Sequence, residues 1–316
     1  MGYLTKWGSG WGDIALMTGR QFFVAPSATY TLEGRSYAAS NDNDGLSPER
    51  ALLTVNAAVS LATADVGDII LLLPGSHSWS TTQTLSKAGV KVFGIPGGPI
   101  DPAARGTRTT RYDAAVTTSA AATAVFTVTA ARVEIAYLHI VPIISGTGIA
   151  ISAAADANIH DITWVMATAA ATDTIGISVT GATPRPRISN QYVYVSDNQG
   201  PFLRAASATA GMDGGMLQNS LVVLAGSTAW DDVVEITTGV TNFVVRDIDF
   251  VNSTGAVFTD IVDSTGNTTD DSVWIMRCYF GVGSDLSEAT ATSDVIVNMN
   301  FLGTIQGGTG GAVNGG

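Results

Sequence analysis

Two carboxylates two residues apart, Asp247 and Asp249, stand beside Arg246, and about one repeat later in the chain come Arg277 and Tyr279. Polysaccharide cleavage on a β-scaffold needs paired carboxylates, or an acidic calcium cluster with an Arg or Lys as base. If Val245, Ile248 and Phe250 point inward from one strand, Asp247 and Asp249 face outward. Stacking the next repeat then sets Arg277 beside Asp247 and Tyr279 beside Asp249. The product is an acidic and aromatic patch suited to gripping a sugar. In the structural alternative Asp247 turns a corner, Arg277 pairs with it across repeats, and nothing reacts. Ion pairs with purely structural roles commonly create such groupings, so no catalytic residue is assigned.

Other candidates are poorer. Ser40, Asp42 and Asp44 invite a calcium reading, but the closing Glu of an EF-hand loop is replaced by Ala51, and Asn, Asp and Ser favour turns unaided. His77, His139 and His160 are too few and too dispersed for a zinc site, which needs three or four converging ligands. The expected register stacks His139 on Thr163 and His160 on Ala136. Cys278 occupies an apolar slot between Ile275 and Phe280, which points to a buried thiol. Asp231-Asp232 and Asp270-Asp271 read as solvated loops, and Pro184-Arg-Pro-Arg187 as an extended exposed loop that interrupts the pattern. With no Walker loop, nucleophile elbow or dinucleotide fingerprint in a suitable setting, no cofactor or metal is expected.

Composition narrows the partners. The 316 residues are 46% hydrophobic and only 13% charged, so the polar surface must be largely Ser, Thr, Asn and Gly. Fifteen basic against twenty-seven acidic residues leave a net charge of −12 and a pI near 4.4, which argues against nucleic acid. Lysine is confined to Lys6, Lys87 and Lys91, which argues against an anionic membrane. No signal peptide or spanning segment is expected, and one cysteine permits no intrachain disulfide.

The elements that position these residues follow from periodicity. Residues 1–25 read as an arm whose Trp7, Trp11, Phe22 and Phe23 need a surface, either a partner's or the chain's own. Residues 26–66 hold a turn-rich segment and one capping helix from about Pro48 to Thr63, with Ser47 as N-cap. Residues 67–303 carry a recurring form: apolar, two residues, apolar, one residue, apolar. It appears as Ile135/Leu138/Ile140, Ile159/Ile162/Trp164, Val245/Ile248/Phe250, Ile275/Cys278/Phe280 and Ile296/Met299/Phe301. Ser189/Tyr192/Tyr194 and Gln218/Leu221/Val223 read as degenerate copies. Their last members lie 24, 30, 29, 27, 30 and 21 residues apart, the spacing of a solenoid whose coils stack strand on strand. Asn158, Asp161, Asn190, Asn219, Asp247 and Asn298 read as corner-makers, because Asn and Asp tolerate left-handed backbone. Residues 304–316 form a Gly-rich tail, too poor in side chains to cap the last coil alone.

The coils Val244-Val-Arg-Asp-Ile-Asp-Phe250 and Trp274-Ile-Met-Arg-Cys-Tyr-Phe280 resemble those of right-handed parallel β-helix proteins of the pectate-lyase-like superfamily. The lead-in, Asn41 to Arg50 followed by Gly67-Asp-Ile-Ile-Leu-Leu-Leu-Pro-Gly75, is similar to theirs. The resemblance implies an all-β, single-stranded right-handed parallel β-helix. That superfamily holds polysaccharide lyases, hydrolases, tailspikes and structural virion proteins, so fold alone does not choose a function. The opening Met-Gly-Tyr-Leu-Thr-Lys-Trp-Gly looks similar to β-helix proteins from the structural gene modules of tailed phages. This implies a virion protein made in the host cytoplasm that decorates the capsid exterior, without enzymatic activity. Its expected partners are the major capsid protein and further copies of itself, as a trimer. The alternative is a tailspike-like protein that binds or depolymerises host surface glycans.

Overall fold

The computed structural model describes residues 19–32, 34–95, 114–118, 123–142, 145–166, 174–196, 200–206, 212–225, 229–238, 240–252, 258–264, 273–280, 287–289, 295–298 and 301–302. Two long parallel sheets dominate. A 15-stranded sheet runs from Gln21–Val24 through Ile69–Leu72, Lys91–Gly94, Glu134–Ile140, Asn158–Met166, Arg187–Ser189, Met216–Leu224, Phe243–Asn252 and Val273–Met276 to Val295–Asn298. An 8-stranded sheet runs from Gln83–Leu85 to Ser287–Ala289. Successive strands of each sheet come from successive coils, the defining order of a parallel β-helix.

Side chains stack in columns because the register is kept from coil to coil. On the larger sheet one inward column reads Phe22, Ile70, Val92, Ile135, Ile159, Ile188, Leu217, Val245 and Ile275, each at most 1% exposed. The smaller sheet answers with Phe126, Ile149, Ile177, Leu203, Val234 and Val262. The predominance of β-branched Ile and Val in both columns suits such a pleated, buried face. Gly148 has a special place: a Cβ there would lie 2.3 Å from the Trp164 ring, so only glycine lets that indole fill the core.

Corners are made by left-handed residues in two columns. The first is Tyr137, Asp161, Asn190, Asn219, Asp247 and Arg277, with φ from 50° to 60°. The second is Arg132, Asp156, Arg185, Gly214 and Asn242, with φ from 54° to 67°. Asp161, Asn190, Asn219 and Asp247 turn corners as expected. Asn158 instead lies within a strand opposite Glu134, and Asn298 pairs with Met276, one residue short of the corner column.

Several sequence expectations are corrected by the register. The copies after Trp164 are Ile188/Gln191/Val193 and Leu217/Ser220/Val222, because Ile159 pairs with Ile188 and Leu217 with Val245. The first and last positions are therefore apolar, and the polar residue is the buried middle one. Gln191 is 2% and Ser220 7% exposed. Near the C-terminus Val297 pairs with Ile275 and Leu302 with Phe280, so Ile296 and Phe301 occupy neighbouring columns instead.

The N-terminal end closes differently from expectation. The helix is not continuous from Pro48 to Thr63: a 3₁₀ turn spans Pro48–Arg50 and α1 spans Val55–Leu61. Between them Leu52 forms a parallel bridge to Val24. Its backbone N–H donates to the Phe23 carbonyl and its carbonyl accepts from Ala25, both at 2.8 Å. That extended segment satisfies the outer edge of the first strand, which would otherwise be open to pairing. Thr54, not Ser47, supplies the side-chain cap, accepting from Ala57 N–H at 3.2 Å. Val55, Ala58 and Val59 then cover the coil end.

Candidate functional site

Phe22 and Phe23 are not available to a partner. Phe22, 1% exposed, heads the inward column, and Phe23, 8% exposed, packs with Tyr30 and Leu71 under the lead-in segment. The first coil thus begins at Gln21, inside the segment read as an arm. Trp7 and Trp11 lie outside the described residues.

The acidic patch assembles in the expected register. Arg277 donates from Nε to Asp247 Oδ1 at 2.7 Å and from Nη2 to Oδ2 at 2.6 Å. Asp249 pairs in register with Tyr279. Arg246 turns toward the preceding coil, donating from Nε and Nη2 to Gln218 Oε1 at 2.9 and 2.6 Å. The Arg277 hydrogen bonds hold the Asp247 carboxyl below the usual carboxylate range. Both Asp247 oxygens are thereby committed, which removes it as a general acid and leaves it a poor base. Asp249 stands outward, flanked by Leu221 on one coil and Tyr279 on the next.

These residues belong to a longer outward strip. One outward column reads Tyr192, Leu221, Asp249 and Tyr279, and the next Tyr194, Val223 and Val251. Tyr279 is 43% and Val251 37% exposed. Apart from Asp249 the strip carries no ionisable acid or base beyond the tyrosine hydroxyls. Aromatic and aliphatic faces of this kind suit packing against a partner or the C–H face of a sugar.

A second charged group escapes a linear reading. Lys91 Nζ meets Glu134 Oε2 at 2.8 Å, Glu134 Oε1 meets His160 Nε2 at 2.9 Å, and His160 Nδ1 meets Asp161 Oδ2 at 2.8 Å. Burial works to lower the His160 pKa, but the hydrogen bonds to Asp161 and Glu134 outweigh it and raise it to about 9. With both nitrogens donating, the ring is a charged link between coils and not a base. The detectable signal was the register itself, since His160 neighbours Ala136 and so falls diagonal to Glu134. His77 and His139 are the opposite case: burial lowers each to about 4, and neither Nδ1 has a hydrogen-bond partner.

Among the described residues the remaining candidates have structural places or partners. Ser40 and Asp42 bond to each other, and Asp44 accepts from Leu46 N–H and pairs with Arg50. Among the described residues no three His, Cys, Asp or Glu converge on a metal position. Cys278 is buried, and desolvation pushes its thiol up to about 11. Asp231-Asp232 lie in the strand Trp230–Thr238, not in a loop, while Asp270-Asp271 fall outside the described residues. Pro184 to Arg187 continues the coil: Arg185 occupies a corner and pairs with Asp156, and Arg187 opens the strand paired with Asn158. Among the described residues no helix is long and apolar enough to cross a membrane.

The class this architecture defines is the parallel β-helix, and comparison with solved structures agrees. The chain is similar to a pectin methylesterase in complex with hexasaccharide VII, with a TM-score of 0.61 at 10% identity over 92% of each chain. Pectate lyase Pel9A gives 0.48 at 13% identity, over 96% of this chain and 81% of that one. Geobacillus virus E2 ORF18 gives 0.35 at 11%, over 80% and 57%. The likeness to the methylesterase, at 10% identity, shows the fold alone. No protein-family model and no curated protein matches the chain.

Proposed function

We propose that this chain is a structural protein of a phage particle, a β-helix mounted on the outer head surface that decorates the capsid and does not cleave glycans. One observation carries the reading: charged side chains, Asp247 and Arg277 of the candidate patch among them, are spent on tying coils together. Asp247 is closed by Arg277, and Glu134 by Lys91 and His160. The same use recurs where Asp156 meets Arg185 and Glu235 meets Arg204. Among the described residues Asp249 has no neighbouring carboxylate free to complete a hydrolytic pair. Such a surface serves a durable rod better than an active site. In this reading Trp7 and Trp11 dock on the major capsid protein, and copies associate as a trimer. Mass spectrometry of purified particles tests it: the protein should be present at a fixed ratio to the major capsid protein, and its absence would sink the proposal.

A second reading is favoured by the exposure of Tyr279 beside Asp249. Here the outward strip, with Asp247 and Arg277 at its edge, binds host surface glycans without cutting them. A reducing-end assay on capsular polysaccharide should show no new ends, while Tyr279→Ala should weaken retention on the immobilised glycan.

A further inference from the structure

Near the N-terminal end of the rod, away from the outward strip, a concave site of about 480 Å³ lies between residues 26–28, the start of α1 and residues 78–81. We propose that it binds a neutral saccharide of one or two pyranose rings. Its lining contains five hydroxyl side chains, Ser27, Thr54, Ser78, Ser80 and Thr81, together with Trp79, and no ionisable group. A hydroxyl both donates and accepts, as does each hydroxyl of a sugar. A carboxylate or ammonium entering the same space would lose hydration and gain no counter-charge. An anion would also meet a chain of net charge −12.

The walls are fixed before any ligand arrives. Gly75, at φ 130°, has no Cβ to collide with Pro26, which would lie 2.8 Å away; this draws residues 26–28 against the strand Gly75–Trp79. Thr54 is pinned as the cap of α1. Trp79 donates from Nε1 to the Leu53 carbonyl at 3.3 Å and packs against Phe126 at 5.9 Å between ring centres. Ser78, Ser80 and Thr81 are exposed at the rim of the site. The volume falls within the roughly 300–1,000 Å³ of small-molecule sites.

Saturation-transfer NMR on the full chain with methyl α-D-glucopyranoside, methyl α-D-mannopyranoside and methyl β-D-galactopyranoside tests the proposal, with galacturonic acid as the charged counterpart. At least one neutral glycoside should bind, about tenfold or more tighter than the uronate. Ser80→Trp, which fills the mouth, should abolish the transfer, and Thr81→Val, which removes one hydroxyl, should weaken it. No transfer from any neutral glycoside, transfer that survives both pocket variants in folded protein, or equal binding of the uronate would overturn the proposal. Loss with Tyr279→Ala would place binding on the outward strip and overturn it too.

Discussion

Arg277 grips both carboxylate oxygens of Asp247 from the next coil, thirty residues on, and both residues hold left-handed backbone, at φ 52° and 54°. The residue that turns the chain is thus also the residue that fastens it to its neighbour. A left-handed Arg is disfavoured locally, and the ion pair across coils helps to offset that cost.

Asp247→Asn keeps a side chain suited to the corner and removes only the charge. Because the pair is exposed to water, the expected loss at pH 7 is small beside that of any core truncation. The acid limb should flatten as well. A depressed carboxyl contributes its stability above the ordinary Asp value near 3.9 and loses it as pH falls through the lower folded value. Melts at pH 7 and pH 3 check both effects, and an unchanged pH dependence would contradict the pairing.

Inside the rod, Gln191 Oε1 accepts from Trp164 Nε1 at 2.7 Å, its Nε2 donates to the Ile159 carbonyl, and its backbone N–H donates to Ser220 Oγ. Gln191→Ala should cost about 2–4 kcal/mol, from the cavity and the stranded indole N–H together. Gln191→Leu, which restores volume but not the acceptor, should cost about 1–3 kcal/mol. Denaturant titration orders the two variants. Equal stability of Gln191→Ala and the parent would mean that the polar cluster is not formed.

The histidines set opposite limbs of the stability profile. His160 is raised from an unfolded value near 6.5 to about 9, so its contribution is complete below pH 6.5 and is lost as pH rises through 9. After discounting for solvent screening this amounts to on the order of 1–2 kcal/mol. His77 and His139, lowered to about 4, act the other way. Stability falls as pH drops from 6.5 toward 4, by on the order of 2–3 kcal/mol for each ring. His160→Gln should remove the alkaline limb and leave the acid one, as read from urea midpoints between pH 4 and 10.

Cys278 should be inert in the folded protein, being buried with its thiol pushed up to about 11. Iodoacetamide at pH 8 should label it only on unfolding. Labelling at the rate of an exposed thiol without denaturant would contradict its burial.

The fold is legible because a solenoid repeats its register, and that register alone places Arg277 on Asp247 and Tyr279 on Asp249. What failed had local causes. Polar Gln191 and Ser220 in buried middle positions displaced the reading of two coils by one residue. Corrected, the last apolar positions of the seven copies lie 24, 29, 29, 28, 30 and 22 residues apart. Phe22 escapes the repeat because forty-odd residues, holding the antiparallel pair Thr29–Leu32 and Arg35–Ala38, a turn and α1, separate its strand from the next coil. The outward strip is hidden for a different reason: the apolar repeat in sequence places Tyr192 and Tyr194 on the inward side, whereas they pair with outward Leu221 and Val223. The Glu134–His160–Asp161 link needs a diagonal between coils that linear spacing does not display.

Where the protein sits on a particle separates the readings most directly. Immunogold labelling of purified phage should decorate the heads, and the label should vanish when Trp7 and Trp11 are both changed to Ala in protein that still gives a β-rich spectrum. Heads without label, with the protein instead at the tail tip and shortening capsular polysaccharide, would contradict the account.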